Sequence, residues 1–148
     1  MGMTAVVETE FSCTLSDGNA GLQALLDGAE RFFVDVGVPD HAAAQLLVAL
    51  DEVVSNIFVH GVREGEPTVD VRLLHRPGRL VGEVVDDGMA FDPLAAAPPD
   101  TSLSIDDRPI GGLGLHIVRA TMDDIRYDRD HGQNRLRFHK DYGLGNRT

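Results

Sequence analysis

The twelve residues from Leu50 to Gly61, LDEVVSNIFVHG, write two patterns onto one segment. Leu50, Val53, Val54, Ile57 and Phe58, extended upstream by Leu46 and Leu47, recur at helical spacing and predict an apolar stripe on a helix over about 41–60. Pro39-Asp40 supplies its start, with Asp40 as the N-cap, and Gly61 stands where a helix ends in the left-handed conformation. Glu52, Asn56 and His60 follow at i, i+4 and i+8, about 40° apart per step, so they share a face, predicted to lie opposite the leucine stripe with Gln45 and Ala49. Asparagine is a poor residue inside a helix because its amide competes for backbone hydrogen bonds. Two readings fit this face. One is an ordinary solvated polar surface; the other is a carboxylate that accepts a proton, one turn from an amide oxygen that ligates a hard cation such as Mg²⁺.

Working outward, residues 5–15 read as a first strand and 19–36 as an amphipathic helix with Leu22, Leu25, Leu26, Ala29, Phe32 and Phe33 on its apolar side. Strands are predicted over about 67–75 and 79–86, joined by Arg76-Pro77-Gly78. Residues 87–112 lack periodicity and carry Pro93, Pro98, Pro99 and Pro109, and a loop of that length is either functional or disordered. A helix over about 113–122 and strands over about 123–129 and 134–140 follow, the last two flanking a turn at His131-Gly132-Gln133-Asn134, with a frayed tail from 141. The order β-α-α-β-β-loop-α-β-β predicts an α/β two-layer sandwich with helices on one face of a mixed sheet. With 43% apolar residues, no internal repeat and no polar linker, the 148 residues are expected to form one domain.

The chain carries 24 acidic and 13 basic residues, a formal net charge of −11. Residues 1–60 hold nine carboxylates against Arg31 alone, a net of −8, whereas the remainder nets −3. This balance argues against a nucleic-acid binder, which needs a basic footprint, and against docking on an anionic membrane. The acidic half is either a partner-binding surface or plain solvation. A lone cysteine, Cys13, leaves no disulfide framework, and no basic segment leads into an apolar leader, so a cytoplasmic protein is expected.

Two further clusters carry chemistry. Asp86-Asp87-Gly88 ends an apolar strand (Leu80, Val81, Val84, Val85). It reads either as a plain Asp-Gly turn or as a carboxylate that accepts a hydrogen bond from an amine, with Gly88 admitting a ligand close to the backbone. Gly111-Gly112-Leu113-Gly114-Leu115 opens the 113–122 helix. It is either a tight turn or a phosphate site built from free N–H groups and the helix dipole, and Arg108 just before it is either a phosphate donor or a solvated loop cation. No Walker motif, Ser-His-Asp signature or zinc spacing occurs.

The order E-x-x-x-N (Glu52, Asn56), D-x-G (Asp86, Gly88), G-x-G (Gly112, Gly114) resembles the N, G1 and G2 boxes of the Bergerat-type ATP-binding fold. Within that superfamily the chain is most similar to the RsbW-type anti-sigma-factor serine/threonine kinases. LDEVVSNIFVHG (50–61), VVDDGMAFDP (84–93) and GGLGLHIVRATMDDIRY (111–127) carry the likeness, which spans about 5–140. The resemblance implies that Glu52 is the general base for a partner serine and that Asn56 holds Mg²⁺ on the ATP phosphates. Asp86 would recognise adenine beside Gly88. Gly112 and Gly114, with Leu113 and Leu115 of the same run, would cradle phosphates under a lid at about 93–111, and Arg108 would reach the γ-phosphate. Ala90 stands where the family places a second G1 glycine. The resemblance implies an enzyme that phosphorylates an anti-anti-sigma (STAS-domain) protein and sequesters a sigma factor as a homodimer, with no direct nucleic-acid or membrane contact. The alternatives are an ATP-binding regulatory module without phosphotransfer, and a separate catalytic domain serving a histidine-kinase-like partner.

Overall fold

Alternation of buried and open residues builds the sheet, because successive side chains of a strand point to opposite faces. β1 (Thr9–Leu15) is followed by a 3-10 turn at Gly18–Gly21, then α1 (Leu22–Val36) and α2 (Asp40–His60). The hairpin β2 (Val69–Arg76) and β3 (Arg79–Asp86) comes next, and α3 (Gly112–Thr121) and the hairpin β4 (Asp124–Asp130) and β5 (Gln133–Asp141) complete the order. The computed structural model describes residues 8–16, 18–60, 67–90, 92 and 112–143. The expected lid at 93–111, Arg108 and strand residues 5–7 lie outside them.

The five strands are ordered β1-β2-β3-β5-β4, and every neighbouring pair is antiparallel. The two-layer sandwich agrees with the sequence expectation; the mixed sheet does not. β3 and β4, with α3 between them in the chain, do run parallel, but β5 inserts between them and pairs antiparallel with both. Two helical passes between β1 and β2 likewise return the chain to the end it left, which makes that pair antiparallel.

One sheet face is apolar along its two middle rows and turns polar toward its ends. Leu15, Val69, Asp86, Asn134 and Arg129 are successive register partners across all five strands, and Phe11, Leu73, Gly82, Phe138 and Ile125 are another such row. Phe33, Leu25, Leu46, Leu50 and Val54 from the helices are fully buried with Val71, Leu73, Val84 and Phe138 from the strands, so the helices cover this face. Gly82 makes room for the core's aromatic: a Cβ there would stand 2.5 Å from the Phe138 ring. The opposite face carries exposed ion pairs such as Arg72–Glu10 at 3.0 Å and Arg76–Glu8 at 2.9 Å.

α2 packs between α1 and α3. By length and composition it is apolar enough to cross a bilayer, but its leucine stripe is spent against the sheet and α1. At the far terminus the chain does not fray at residue 141. Asp141 still pairs with Arg79, and Tyr142 donates its N–H to the Gly78 oxygen at 2.9 Å while its ring stacks on His75.

Candidate functional site

Three elements meet at one end of the sandwich, and chain direction puts them there. β3 runs toward that end and finishes on Asp86, in register with Val69 at the start of β2. α2 must deliver the chain to β2, so its C-terminal half, with Glu52 and Asn56, lies at the same end. α3 runs the other way. Its last turn is held at the opposite end, where Lys140 Nζ donates to the Thr121 oxygen at 2.7 Å and the Asp123 N–H donates to the His139 oxygen at 2.9 Å. The N-terminus of α3 therefore returns to the Asp86 end, with Gly112 as its first residue and Gly114 in the same turn. The first-turn N–H groups of a helix have no intrahelical acceptors and sit at the positive end of its dipole.

The Glu52–Asn56 face is partly withdrawn from solvent. Ala49 is fully buried and Asn56 is 6% exposed, so the face flanks the leucine stripe instead of lying opposite it. Asn56 Nδ2 donates to the Glu52 main-chain oxygen at 3.1 Å. Its Oδ1 is buried and accepts no hydrogen bond among the described residues. An orphaned buried carbonyl is costly, and the bland reading of a polar surface does not account for it. A hard cation bound there would satisfy it, so the donor fits Mg²⁺. Glu52 is half-buried, and burial followed by the neighbouring Asp51 charge pushes its carboxyl above the usual range, which favours a proton acceptor. His60 is the last residue of α2.

Asp86 is 4% exposed. Its Oδ1 accepts the Gly88 N–H at 2.9 Å, a local Asp-Gly turn, and Asn134 Nδ2 at 3.0 Å. Burial is the main influence on this carboxyl and raises its pKa, while the Asn134 and Gly88 donors pull it down. The following loop is fastened at both sides. Asp87 Oδ1 accepts the Thr68 N–H at 2.7 Å, and the β4–β5 hairpin reaches across with Arg129 Nη1 to the Gly88 oxygen and Asn134 Nδ2 to the Met89 oxygen, both at 2.9 Å. Ala90, in place of a second glycine, lies exposed just beyond.

The sequence reading sets Asn134 at the junction of the 131–134 turn and the 134–140 strand and gives neither it nor Tyr127 a site role. The turn is only His131-Gly132, and β5 starts at Gln133. The signal was available: Asn134 leads the inward alternation Asn134-Leu136-Phe138, a polar residue at an apolar register position. At the opposite end, Asp123, His139 and Asp141 place ligand atoms within 4.8 Å of one another. Both carboxylates are already engaged there, Asp141 by Arg79 at 2.6 and 3.0 Å and Asp123 by the Asp141 N–H at 2.6 Å.

The chain and its fold resemble known proteins. Residues 16–140 match the histidine kinase-like ATPase domain. The chain is 35% identical over 92 residues to the serine/threonine-protein kinase BtrW of Bordetella bronchiseptica, covering 62% of this chain and 65% of that protein. It is 30% identical over 93 residues to the serine-protein kinase RsbW of Bacillus thuringiensis, covering 60% and 58% respectively, so it matches under two-thirds of either relative's length. The crystal structure of the RsbU and RsbW domains of Rv1364c from Mycobacterium tuberculosis superposes on 90% of this chain and 32% of its own with a TM-score of 0.62 at 15% identity, a likeness of fold. The chain belongs to the histidine kinase-like ATPase domain family, with RsbW and BtrW serine kinases among its relatives.

Proposed function

We propose that this chain is an Mg·ATP-dependent serine/threonine protein kinase that phosphorylates an anti-anti-sigma STAS-domain protein and otherwise sequesters a sigma factor. In this reading it works in the cytoplasm as a homodimer, with no direct nucleic-acid or membrane contact. The observation that carries the reading is Asn56 Oδ1, buried and without a hydrogen-bond donor among the described residues, one turn from a carboxylate of raised pKa. Asn56 would hold Mg²⁺, which when bound neutralises phosphate charge. Asp86 accepts the exocyclic amine of adenine, and Gly88 lets the base lie against the loop. The N–H groups at Gly112 and Gly114 hold the phosphates, alongside Leu113, Leu115 and Arg108. Glu52 takes the proton from a serine hydroxyl as that oxygen bonds to the γ-phosphorus and the bond to the ADP oxygen breaks.

The test is transfer from labelled Mg·ATP to the STAS protein encoded beside this chain, read as phosphoserine. Loss of transfer in Glu52→Gln with ATP binding intact supports the assignment. Tight ATP binding with no transfer to any STAS protein would favour a regulatory module that carries nucleotide without chemistry. Full transfer in a Glu52→Ala, Asn56→Ala double variant would remove the assigned roles.

A further inference from the structure

The purine carboxylate is held by a relay that begins on the far hairpin. Tyr127 on β4 donates its hydroxyl to Asn134 Oδ1 at 2.5 Å. Asn134, 6% exposed on β5, donates from Nδ2 to both Asp86 Oδ1 and the Met89 oxygen. These bonds fix the amide's orientation: flipped, its oxygen would face a carboxylate and a carbonyl, two acceptors with no donor between them. Both amide hydrogens are consumed. Asp86 Oδ1 then carries two donors, from Asn134 and Gly88, and no hydrogen bond from the described residues reaches Oδ2.

That asymmetry has a chemical consequence. A carboxylate with both oxygens free can take two parallel N–H donors, the pattern that guanine offers at N1 and its 2-amino group. A carboxylate with one oxygen saturated offers a single acceptor, which suits the lone exocyclic amine of adenine. We propose that Asn134, backed by Tyr127, is the positioning residue that sets base selectivity, occupying Asp86 Oδ1 so that the site takes adenine and rejects guanine. This inference rests on the reading of Asp86 as the adenine acceptor. The relay also couples selectivity to the loop, since the same amide holds Met89 in place.

The experiment measures Mg·ATP and Mg·GTP affinity of the full chain between about pH 5 and 8 for wild type, Asp86→Asn, Asn134→Leu and Tyr127→Phe, with thermal unfolding of each. Asn134→Leu should weaken ATP by about tenfold or more while GTP holds or improves, so that the ATP/GTP preference collapses. The pH at which ATP binding fades should also rise, because a donor that favours ionised Asp86 is gone. Tyr127→Phe, which removes one hydroxyl, should move both readouts the same way by about threefold, and it decides the question if Asn134→Leu fails to fold. An unchanged ATP/GTP ratio and pH profile, or an equal loss for both nucleotides, overturns the inference. If Asp86→Asn binds ATP like wild type, the adenine reading itself is wrong; if it loses ATP while Asn134→Leu and Tyr127→Phe keep wild-type selectivity, only the relay is wrong.

Discussion

Asn56 donates its Nδ2 hydrogen to the main-chain oxygen of Glu52 at 3.1 Å, and the amide held this way leaves Oδ1 buried with no donor among the described residues. A residue that stabilised the fold would not leave that oxygen bare, since an unsatisfied buried acceptor costs about 1–3 kcal/mol. In the proposed function, this is where the site gives up stability for binding.

Asn56→Leu separates those two roles. The free protein should be as stable as wild type or gain about 1 kcal/mol, while Mg·ATP affinity falls about tenfold or more. Urea unfolding with and without Mg·ATP reads both at once; a large loss of stability without ligand would make Asn56 a structural residue.

Glu52→Gln keeps shape and removes the base. Phosphotransfer should fall by about 10²–10⁴ with ATP affinity retained. Because burial and Asp51 hold the Glu52 carboxyl above its usual range, the wild-type rate should rise with pH above the ordinary glutamate range, and Asp51→Asn should shift that limb downward. A limb that ignores Asp51 counts against the assignment.

Asp86 makes stability depend on pH. Its folded-state pKa is raised, so the native state holds the proton more tightly than the unfolded chain does. The cost of keeping it ionised is complete at neutral pH and fades as pH falls through the folded value to the unfolded one. Asp86→Asn should therefore be more stable than wild type without nucleotide at neutral pH, with the difference shrinking on acidification. Melting temperatures across the carboxylate range check the sign.

Gly82 tests the packing under the site. Its register partner Phe138 is 1% exposed and its ring fills the space a side chain would need. Gly82→Ala should cost about 1–3 kcal/mol by overpacking, and Phe138→Leu in the same chain should give part of that back. Chemical denaturation of the two single variants and the double variant measures the coupling.

His131 and Gly132 close the β4–β5 hairpin with φ of 52° and 76°, the two-residue turn with positive φ at both positions. His131 is the one non-glycine residue with positive φ among those described. His131→Asn should stabilise the protein by about 0.5 kcal/mol, because asparagine tolerates the left-handed region at lower cost. A lower melting temperature would show that the exposed His131–Asp130 pair at 2.8 Å outweighs the backbone preference.

Local signals carried far in this chain. The leucine stripe of α2, the alternation of β2 and β3 and the glycine-led start of α3 were readable because each depends on neighbours within a turn or two. Glu52, Asn56, Asp86, Gly88, Gly112 and Gly114 are each ordinary enough alone, and only their order and spacing single them out. The sequence reading falls short where the answer lies at longer range. The sheet is antiparallel because β5 enters between β3 and β4, and strand order is a property of pairings across the whole chain. Asn134 stands at a turn–strand junction with nothing local to mark it as a site residue, because its partners Asp86 and Met89 are 48 and 45 residues away.

The acidic balance argued against a nucleic-acid surface, and the order of three short motifs pointed to the family, because charge and spacing are properties of the chain in any conformation. Which face of α2 is buried, which oxygen of Asp86 stays open and which side chain holds the other one are not such properties. They arise when segments far apart in sequence are packed into contact and every buried donor and acceptor must find a partner or go without.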